Sequence, residues 1–176
     1  KRMSPLVALI AQDAVPAGPG WLRELTAPFH GDERVAAAWS RQVPLPGASA
    51  IARAQLERWV GASPEPRVAS LTGSELERLS PLQQFELCAF DNVCSCIRRS
   101  VWARRPFPKV PIGEDIEWAR GVLLDGDRIV YVPTSMVQHS HERTARYELM
   151  RTLLVHYRLR QIFGLAFSER LLGAQE

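Results

Sequence analysis

The apolar positions of the chain fall into short continuous runs that predict strands. A run of about four to eight apolar residues between turn residues is typical of a buried strand. Such runs occur at Leu6 to Ala11, Val35 to Trp39, Val93 to Ile97 and Arg128 to Val132. The first of them contains no polar residue, so we expect a fully buried strand of a parallel sheet.

Apolar residues spaced three or four positions apart predict helices between these strands. The predicted helices span Trp21 to Phe29, about Ala50 to Val60, Arg98 to Arg104, Glu114 to Leu124 and about Glu142 to Phe163. The alternation of short strands and helices predicts an α/β fold, and residues 1–176 have the length of a single domain.

The stretch from Ala62 to Leu82 is rich in proline and serine. It predicts a long surface loop with one helical turn near Ser74 to Leu79. Gly61 lies just before this loop. We expect it to end the preceding helix, because glycine readily adopts the left-handed backbone found at helix ends.

The C-terminal segment 142–173 is predicted to be helical, and one face of this helix is apolar. Tyr147, Met150, Leu154 and Tyr157 recur along it at helical spacing. We expect this face to pack on the core. Because arginines are frequent in the same segment, an alternative is a basic amphipathic helix that makes peripheral contact with a membrane.

Composition narrows the classes of protein that remain. The 176 residues contain 22 basic and 19 acidic side chains, and this net charge of +3 gives no overall nucleic-acid-binding character. Three cysteines, an odd number without a secretory signal, indicate a reducing compartment and hence a cytoplasmic location. No apolar run approaches the ~20 residues that a membrane span needs.

The chain begins at Lys1 rather than Met, so we expect further sequence upstream or the removal of the start.

Acidic and histidine residues follow two of the predicted strands, where α/β proteins bind ligands. Asp13 comes just after the first strand and could hold a divalent cation, or it could be a turn residue before Pro16. His139 and His141 lie two positions apart, so in an extended segment their side chains point the same way. With Asp13 they could form a mixed oxygen and nitrogen site of the kind that manganese accepts.

Glu114 and Asp115 are predicted to lie in the first turn of a helix that begins after Gly113. The helix dipole favours ionised carboxylates at this position, so the two acids could simply stabilise the helix start. Alternatively, one of them could be a general base, which must be ionised and held on a rigid element beside an acceptor hydroxyl.

Cys94 and Cys96, together with the two histidines, raise the alternative of a zinc site. Their spacing differs from that of the usual CxxC pairs, and Val93 to Ile97 has the pattern of a strand interior. Buried cysteines mostly act as small apolar residues, so we favour that role here.

Four segments, taken in order, carry a resemblance to a known family. They are AQDAVP, WLRELTAPF, VAAAWSRQVPLP and RRSVWARRPFPKVPIGEDIEWARGVLLDGDRIVYVPTSMVQHSH. They resemble the inverting GT-A glycosyltransferases of family two, and within that family the rhamnosyltransferase-like subgroup, which shares the QDA-P, RQ-P, F-P-GED-W and Y-P-V-HSH patterns. The resemblance extends from about Leu6 to Phe163. It implies part of a GT-A fold, which is a Rossmann-like mixed sheet flanked by helices.

The resemblance implies a metal site for the donor. Asp13 matches the last acid of the DxD motif, which binds the Mg²⁺ or Mn²⁺ that bridges the diphosphate of a nucleotide sugar. Ala11 replaces the first acid of that motif. His139 matches a histidine that several relatives use as a further metal ligand, and His141 is a secondary candidate.

The resemblance also implies an acceptor site. Asp115 matches the base that deprotonates the acceptor hydroxyl, and Glu114 is its partner in the ED motif. The positions that line the acceptor side in the family match Arg41, Gln42 and Trp118.

The implied reaction is the inverting transfer of a sugar, such as rhamnose or another hexose, from a nucleotide-diphosphate donor. The acceptor would be a hydroxyl of a cell-surface glycan or of a lipid-linked molecule, at the inner face of the membrane. In the family, two or more βα units precede the DxD strand and bind the nucleotide, whereas five residues precede Leu6. We therefore expect the C-terminal part of such an enzyme. The alternative is a non-catalytic, transferase-derived binding or scaffold module that pairs with another domain or subunit. A homo-oligomer is a separate expectation.

Overall fold

The computed structural model describes residues 4–72 and 75–165. The strands are β1 (Leu6–Ile10), β2 (Val15–Pro16), β3 (Val35–Val43), β4 (Arg67–Ala69), β5 (Cys94–Arg98) and β6 (Arg128–Gln138). The helices are α1 (Trp21–Thr26), α2 (Ala50–Glu57), α3 (Glu75–Arg78), α4 (Pro81–Leu87), α5 (Arg99–Arg104), α6 (Glu114–Leu124) and α7 (Ala145–Phe163). None of these helices is long and apolar enough to cross a membrane.

The strands form one mixed sheet in the order β1-β5-β3-β6-β2, with β4 pairing to β6 outside this path. β3 and β6 run parallel, and the other pairs are antiparallel. Helices and apolar clusters cover the sheet: Trp39 of β3 belongs to one cluster and its neighbour Ala38 to a second. The predicted α/β class, with a mixed sheet flanked by helices, is confirmed.

The expectation of a fully buried parallel strand at Leu6 to Ala11 is wrong. β1 runs antiparallel to β5, which is its partner among the described residues, and it lies at the end of the sheet order. Its residues are half-buried or exposed, and Ile10 is 43% exposed. A strand at an edge can be apolar without being buried, because the composition of a short run does not fix its position in the sheet.

The central strands β3 and β6 extend further than their apolar runs predict. Beyond the pair Ser40 and Val132 the register shifts, so that Arg41 lies opposite Met136 and the residues between bulge out of the ladder. Pairing then continues to the ends of both strands, and the N–H of His139 donates to the carbonyl of Val43 at 2.9 Å. The bulge therefore sets the positions of His139 and His141, which follow the end of β6.

The stretch predicted as a loop contains more regular structure than its composition indicates. The short strand β4 lies within it, and α4 begins at its end with a capping box between Ser80 and Gln83. The helical turn expected near Ser74 to Leu79 is present as α3.

Gly61 does not end α2, which stops at Glu57, but lies in a 3-10 turn where a Cβ would meet Trp59 at 2.6 Å. Close packing explains this glycine better than helix capping.

The apolar face of α7 does not pack on the core as expected. Tyr147, Met150 and Tyr157 are 56–60% exposed, and Leu154 is 41% exposed. The helix begins at Ala145, because the Thr144 hydroxyl caps it, and it ends at Phe163 before Gly164 in the left-handed conformation. The remainder of the predicted segment 142–173 beyond Leu165 lies outside the described residues.

Candidate active site

A cavity of about 750 Å³ lies where α2, α6 and α7 meet the ends of β1, β3 and β6. This volume is typical of a site for a small molecule or a cofactor. Its wall contains most of the residues that the sequence singled out: Asp13, Gln42, Glu114, Asp115, His139 and His141. Residues far apart in the sequence thus meet because the strand ends converge on one side of the sheet.

One side of the cavity holds a group that could bind a metal ion. Asp13, His139 and His141 each offer a ligand atom, and these atoms lie within 4.8 Å of one another. The distance from Asp13 Oδ1 to His139 Nε2 is 3.6 Å, and that from Asp13 Oδ2 to His141 Nδ1 is 3.7 Å. Ligands that share an ion at about 2.1 Å lie roughly 3 to 3.5 Å apart, so small side-chain shifts suffice.

The charge states of the histidines suit metal binding. Burial lowers the pKa of His139, against the opposing effect of the Asp13 carboxylate. Burial, with the charge of Arg143, also lowers the pKa of His141. Both imidazoles are therefore neutral near pH 7 and can donate a lone pair. Two nitrogen ligands and one carboxylate fit a first-row transition ion better than Mg²⁺, which prefers oxygen.

Asp91 connects the metal group to the rest of the cavity, and sequence reasoning missed it. One of its oxygens accepts hydrogen bonds from Gln42 Nε2 at 2.6 Å and from the indole N–H of Trp59 at 3.0 Å. Its other oxygen accepts from the backbone N–H of Val93 at 2.8 Å. No pattern marks Asp91, because it lies in a loop between α4 and β5 and gains its partners through the tertiary fold.

Asp115 lies in the cavity wall at the start of α6. Gly113, with a φ of +76°, provides the turn into this helix, as the sequence predicts. Burial raises the pKa of Asp115 to about 7, and the negative charges of Asp91 and Glu114 act in the same direction. The N–H of Ile116, which donates to Asp115 at 2.8 Å, only partly offsets these effects. A carboxyl group that titrates near 7 is suited to accept a proton at physiological pH.

The structure does not bring every predicted site residue to the cavity. Trp118 is 1% exposed, and its indole N–H donates to the carbonyl of Arg105 within the core. Arg41 Nε donates to the carbonyl of Ala62 at 2.9 Å and so holds the 3-10 turn after α2. Neither is among the described residues that line the cavity. Contact of either one with an acceptor remains a prediction.

Arginines form part of the cavity wall and were not predicted as site residues. Two of them have acidic partners: Arg143 pairs with Glu148, and Arg158 pairs with Glu117. Arg58 and Arg151 also line the cavity and have no ion-pair partner within the described ranges. Free guanidinium groups in a concave site favour an anionic ligand.

The cysteines have the environment of small apolar residues. Cys88, Cys94 and Cys96 are free thiols and are buried. Burial raises the pKa of Cys96 to about 11 and that of Cys88 to about 12, so both stay protonated. Cys94 accepts a hydrogen bond from the Ser40 hydroxyl at 3.2 Å. The strand position predicted for Cys94 and Cys96 is confirmed.

No protein-family model matches the chain, and no curated protein matches it. A solved structure of the mannosyltransferase PcManGT from Pyrobaculum calidifontis, in complex with GDP-Man and Mn²⁺, is similar to it at a TM-score of 0.49 and 15% identity. That match covers 84% of this chain and 35% of the mannosyltransferase chain, so this chain spans about a third of its length. A similarity of this size assigns neither a family nor a function.

Proposed function

We propose that the chain is the metal and acceptor part of an inverting GT-A glycosyltransferase that uses a nucleotide-diphosphate sugar. One observation carries the proposal. A single cavity combines three residues that could hold a metal ion, Asp13, His139 and His141, with Asp115, a carboxyl group whose pKa burial raises to about 7. A displacement at the anomeric carbon needs both a base and compensation of charge on the leaving diphosphate.

In this proposal Asp115 is the catalytic base. Its carboxylate removes the proton of the acceptor hydroxyl while the hydroxyl oxygen forms a bond to the anomeric carbon. The bond from that carbon to the diphosphate oxygen breaks, and the nucleoside diphosphate leaves with the bonding electrons. Asp115 later releases its proton to water. Because attack and departure occur on opposite faces, the anomeric configuration inverts.

The leaving group carries negative charge, and the cavity offers two ways to stabilise it. Asp13, His139 and His141 would hold Mn²⁺ or a similar ion, which, when bound, offsets the charge that develops on the diphosphate. Arg58 and Arg151, which lack ion-pair partners within the described residues, add positive charge in the same wall.

The proposal is tested on the natural-length protein that contains this chain. It is incubated with Mn²⁺ and a set of nucleotide sugars, and the release of nucleoside diphosphate is measured with and without a sugar or polyprenyl-phosphate-linked acceptor. We expect metal-dependent release with one donor, and NMR of the product should show the anomeric configuration opposite to that of the donor. Retained configuration would contradict the inverting mechanism. Nucleotide release that is unaffected by a chelator would contradict the metal centre.

We also propose that the outer face of α7 makes peripheral contact with a membrane. Between Tyr147 and Tyr157 the exposed large apolar residues of α7 include Leu149, Leu153 and Leu154. The opposite face, with Leu159, lines the cavity. Exposed Arg146 and Arg160 accompany the apolar face, while the acid of this helix, Glu148, is paired with Arg143. This charge pattern complements an anionic lipid surface.

Replacing Leu153 with Glu should weaken binding to anionic vesicles by about tenfold. The change removes about 1–2 kcal/mol of apolar burial and adds repulsion from the lipid charge. Cosedimentation with phosphatidylcholine vesicles, with and without phosphatidylglycerol, measures the effect. Leu22→Glu is the matched control, because Leu22 is a similarly exposed leucine on α1. Equal binding of wild type and L153E would contradict the membrane contact. A dimer in sedimentation velocity that L153E dissociates would assign the face to a second copy instead.

A further inference from the structure

The carboxylate of Asp91 uses both of its oxygens as hydrogen-bond acceptors inside the protein. Gln42 Nε2 and Trp59 Nε1 share one oxygen, at 2.6 and 3.0 Å, and the N–H of Val93 occupies the other, at 2.8 Å. An ionised carboxylate can only accept hydrogen bonds. The group that faces it on Gln42 must therefore be the NH₂ of the amide.

This requirement fixes the orientation of the Gln42 amide. Gln42 is 4% exposed, so water does not compete for its polar atoms. With its NH₂ turned toward Asp91, its carbonyl oxygen Oε1 faces Nδ1 of His139 at 2.8 Å. A carbonyl oxygen can only accept a hydrogen bond, so Nδ1 of His139 must carry the proton.

The position of that proton decides which nitrogen of His139 can bind a metal. A histidine that ligates through Nε2 keeps its proton on Nδ1, and a second residue usually holds it there. Without this partner, an Nε2–H could instead point at the Asp13 carboxylate, 3.6 Å away, and the lone pair would be lost to the metal.

We propose that Asp91 is a positioning residue that acts through Gln42 to hold the His139 proton on Nδ1 and so presents Nε2 to the metal site. The relay runs Asp91, Gln42, His139, and each member is fixed by the hydrogen bond of the one before it. The Trp59 indole donates to the same oxygen of Asp91 as Gln42 does, and the N–H of Val93 holds the other oxygen. The inference rests on the metal centre of the proposed function and adds the residues that prepare one of its ligands.

The tautomer of His139 is a direct test that needs no metal. In metal-free protein at pH 8, long-range ¹H–¹⁵N correlation spectra distinguish a protonated Nδ1 from a protonated Nε2. We expect the Nδ1–H tautomer in the wild type and its loss in Gln42→Met, which has a similar volume but cannot accept the proton. The Nε2–H tautomer in the wild type would overturn the inference.

Metal affinity is the second readout. Titration with Mn²⁺ followed by electron paramagnetic resonance should give a Kd about 10- to 100-fold higher for Asp91→Asn and for Gln42→Met than for the wild type. The amide introduced by Asp91→Asn has one acceptor oxygen where the carboxylate has two, so it cannot satisfy all three donors. Asp127→Asn is the matched control, because Asp127 pairs with Arg104 and is not among the described residues that line the cavity.

The outcomes separate the relay from the metal centre. No binding of Mn²⁺ to the wild type overturns the metal centre, and this inference with it. Normal binding by the wild type, with Kd values within about twofold in both folded variants, overturns the relay alone. Thermal melts establish that the variants are folded, and if Asp91→Asn does not fold, Gln42→Met and the wild-type tautomer decide the question.

Discussion

Asp115→Asn should lower the rate of sugar transfer by about 10²- to 10⁴-fold while leaving the affinity for Mn²⁺ unchanged. The amide has nearly the shape of the carboxylate but cannot take up a proton, so the variant loses the base and keeps the cavity. The rate is measured on the natural-length protein by release of nucleoside diphosphate in the presence of acceptor. Mn²⁺ affinity is measured separately by electron paramagnetic resonance.

The same residue should set the pH dependence of the reaction. The base acts when ionised, and burial, with Asp91 and Glu114 nearby, raises the pKa of Asp115 to about 7. The transfer rate should therefore rise about tenfold per pH unit below 7 and level off above it. A rate that is already constant from pH 5 upward would contradict this assignment of the base.

A control variant and the effect of Asp115→Asn on stability together distinguish loss of the base from loss of the fold. Glu77→Gln makes the same kind of change at an exposed acid on α3 and should leave the rate unchanged. The pKa of Asp115 is about 7 in the folded protein, against an ordinary value of 3.8. Ionisation of Asp115 therefore lowers the free energy of unfolding as the pH rises from 3.8 to about 7. The neutral Asn should therefore not destabilise the fold at pH 8. Near-normal turnover by a folded Asp115→Asn would sink the proposed mechanism.

His139→Ala should abolish tight binding of Mn²⁺, with a rise in Kd of more than about 100-fold, and should reduce transfer to a similar extent. Loss of a direct ligand is expected to exceed the 10- to 100-fold effect typical of residues that only support a ligand. His139 is 7% exposed and lies between Asp13 and Gln42, and the variant removes one of the three ligand atoms that the group offers. Electron paramagnetic resonance titration and the transfer assay measure the two effects.

His30→Ala is the matched control for this variant, because His30 is an exposed histidine outside the cavity wall. It should bind Mn²⁺ like the wild type. Excess chelator should reproduce the effect of His139→Ala on the wild-type rate, and added Mn²⁺ should restore it. Unchanged Mn²⁺ affinity in a folded His139→Ala would show that the ion, if bound, lies elsewhere.

Local sequence features predicted much of the fold where neighbouring residues alone decide it. Gly113 allows the turn before α6, and the span of α6 is as predicted. These features depend on contacts within one turn of chain. Errors arose where distant partners decide the outcome: β1 proved to be an edge strand, and β4 forms only because β6 offers it an edge.

The same distinction between local and distant contacts applies to the candidate site. The sequence by itself determined which chemical groups are available: the carboxylates Asp13 and Asp115 and the imidazoles of His139 and His141 at the ends of predicted elements. Only the tertiary structure decided that they line one cavity, because parallel pairing of β3 with β6 and the position of β1 bring their ends together.

The tertiary structure also decided contacts and burial that no sequence pattern predicts. Asp91 accepts a hydrogen bond from Gln42, Trp118 lies in the core, and the apolar face of α7 is exposed. In each case the deciding quantity is burial or a hydrogen bond to a residue far away in the chain. Periodicity in one segment reports which side of a helix or strand is apolar. It does not show what packs against that side, because the packing partners come from distant parts of the chain and are set by the tertiary fold.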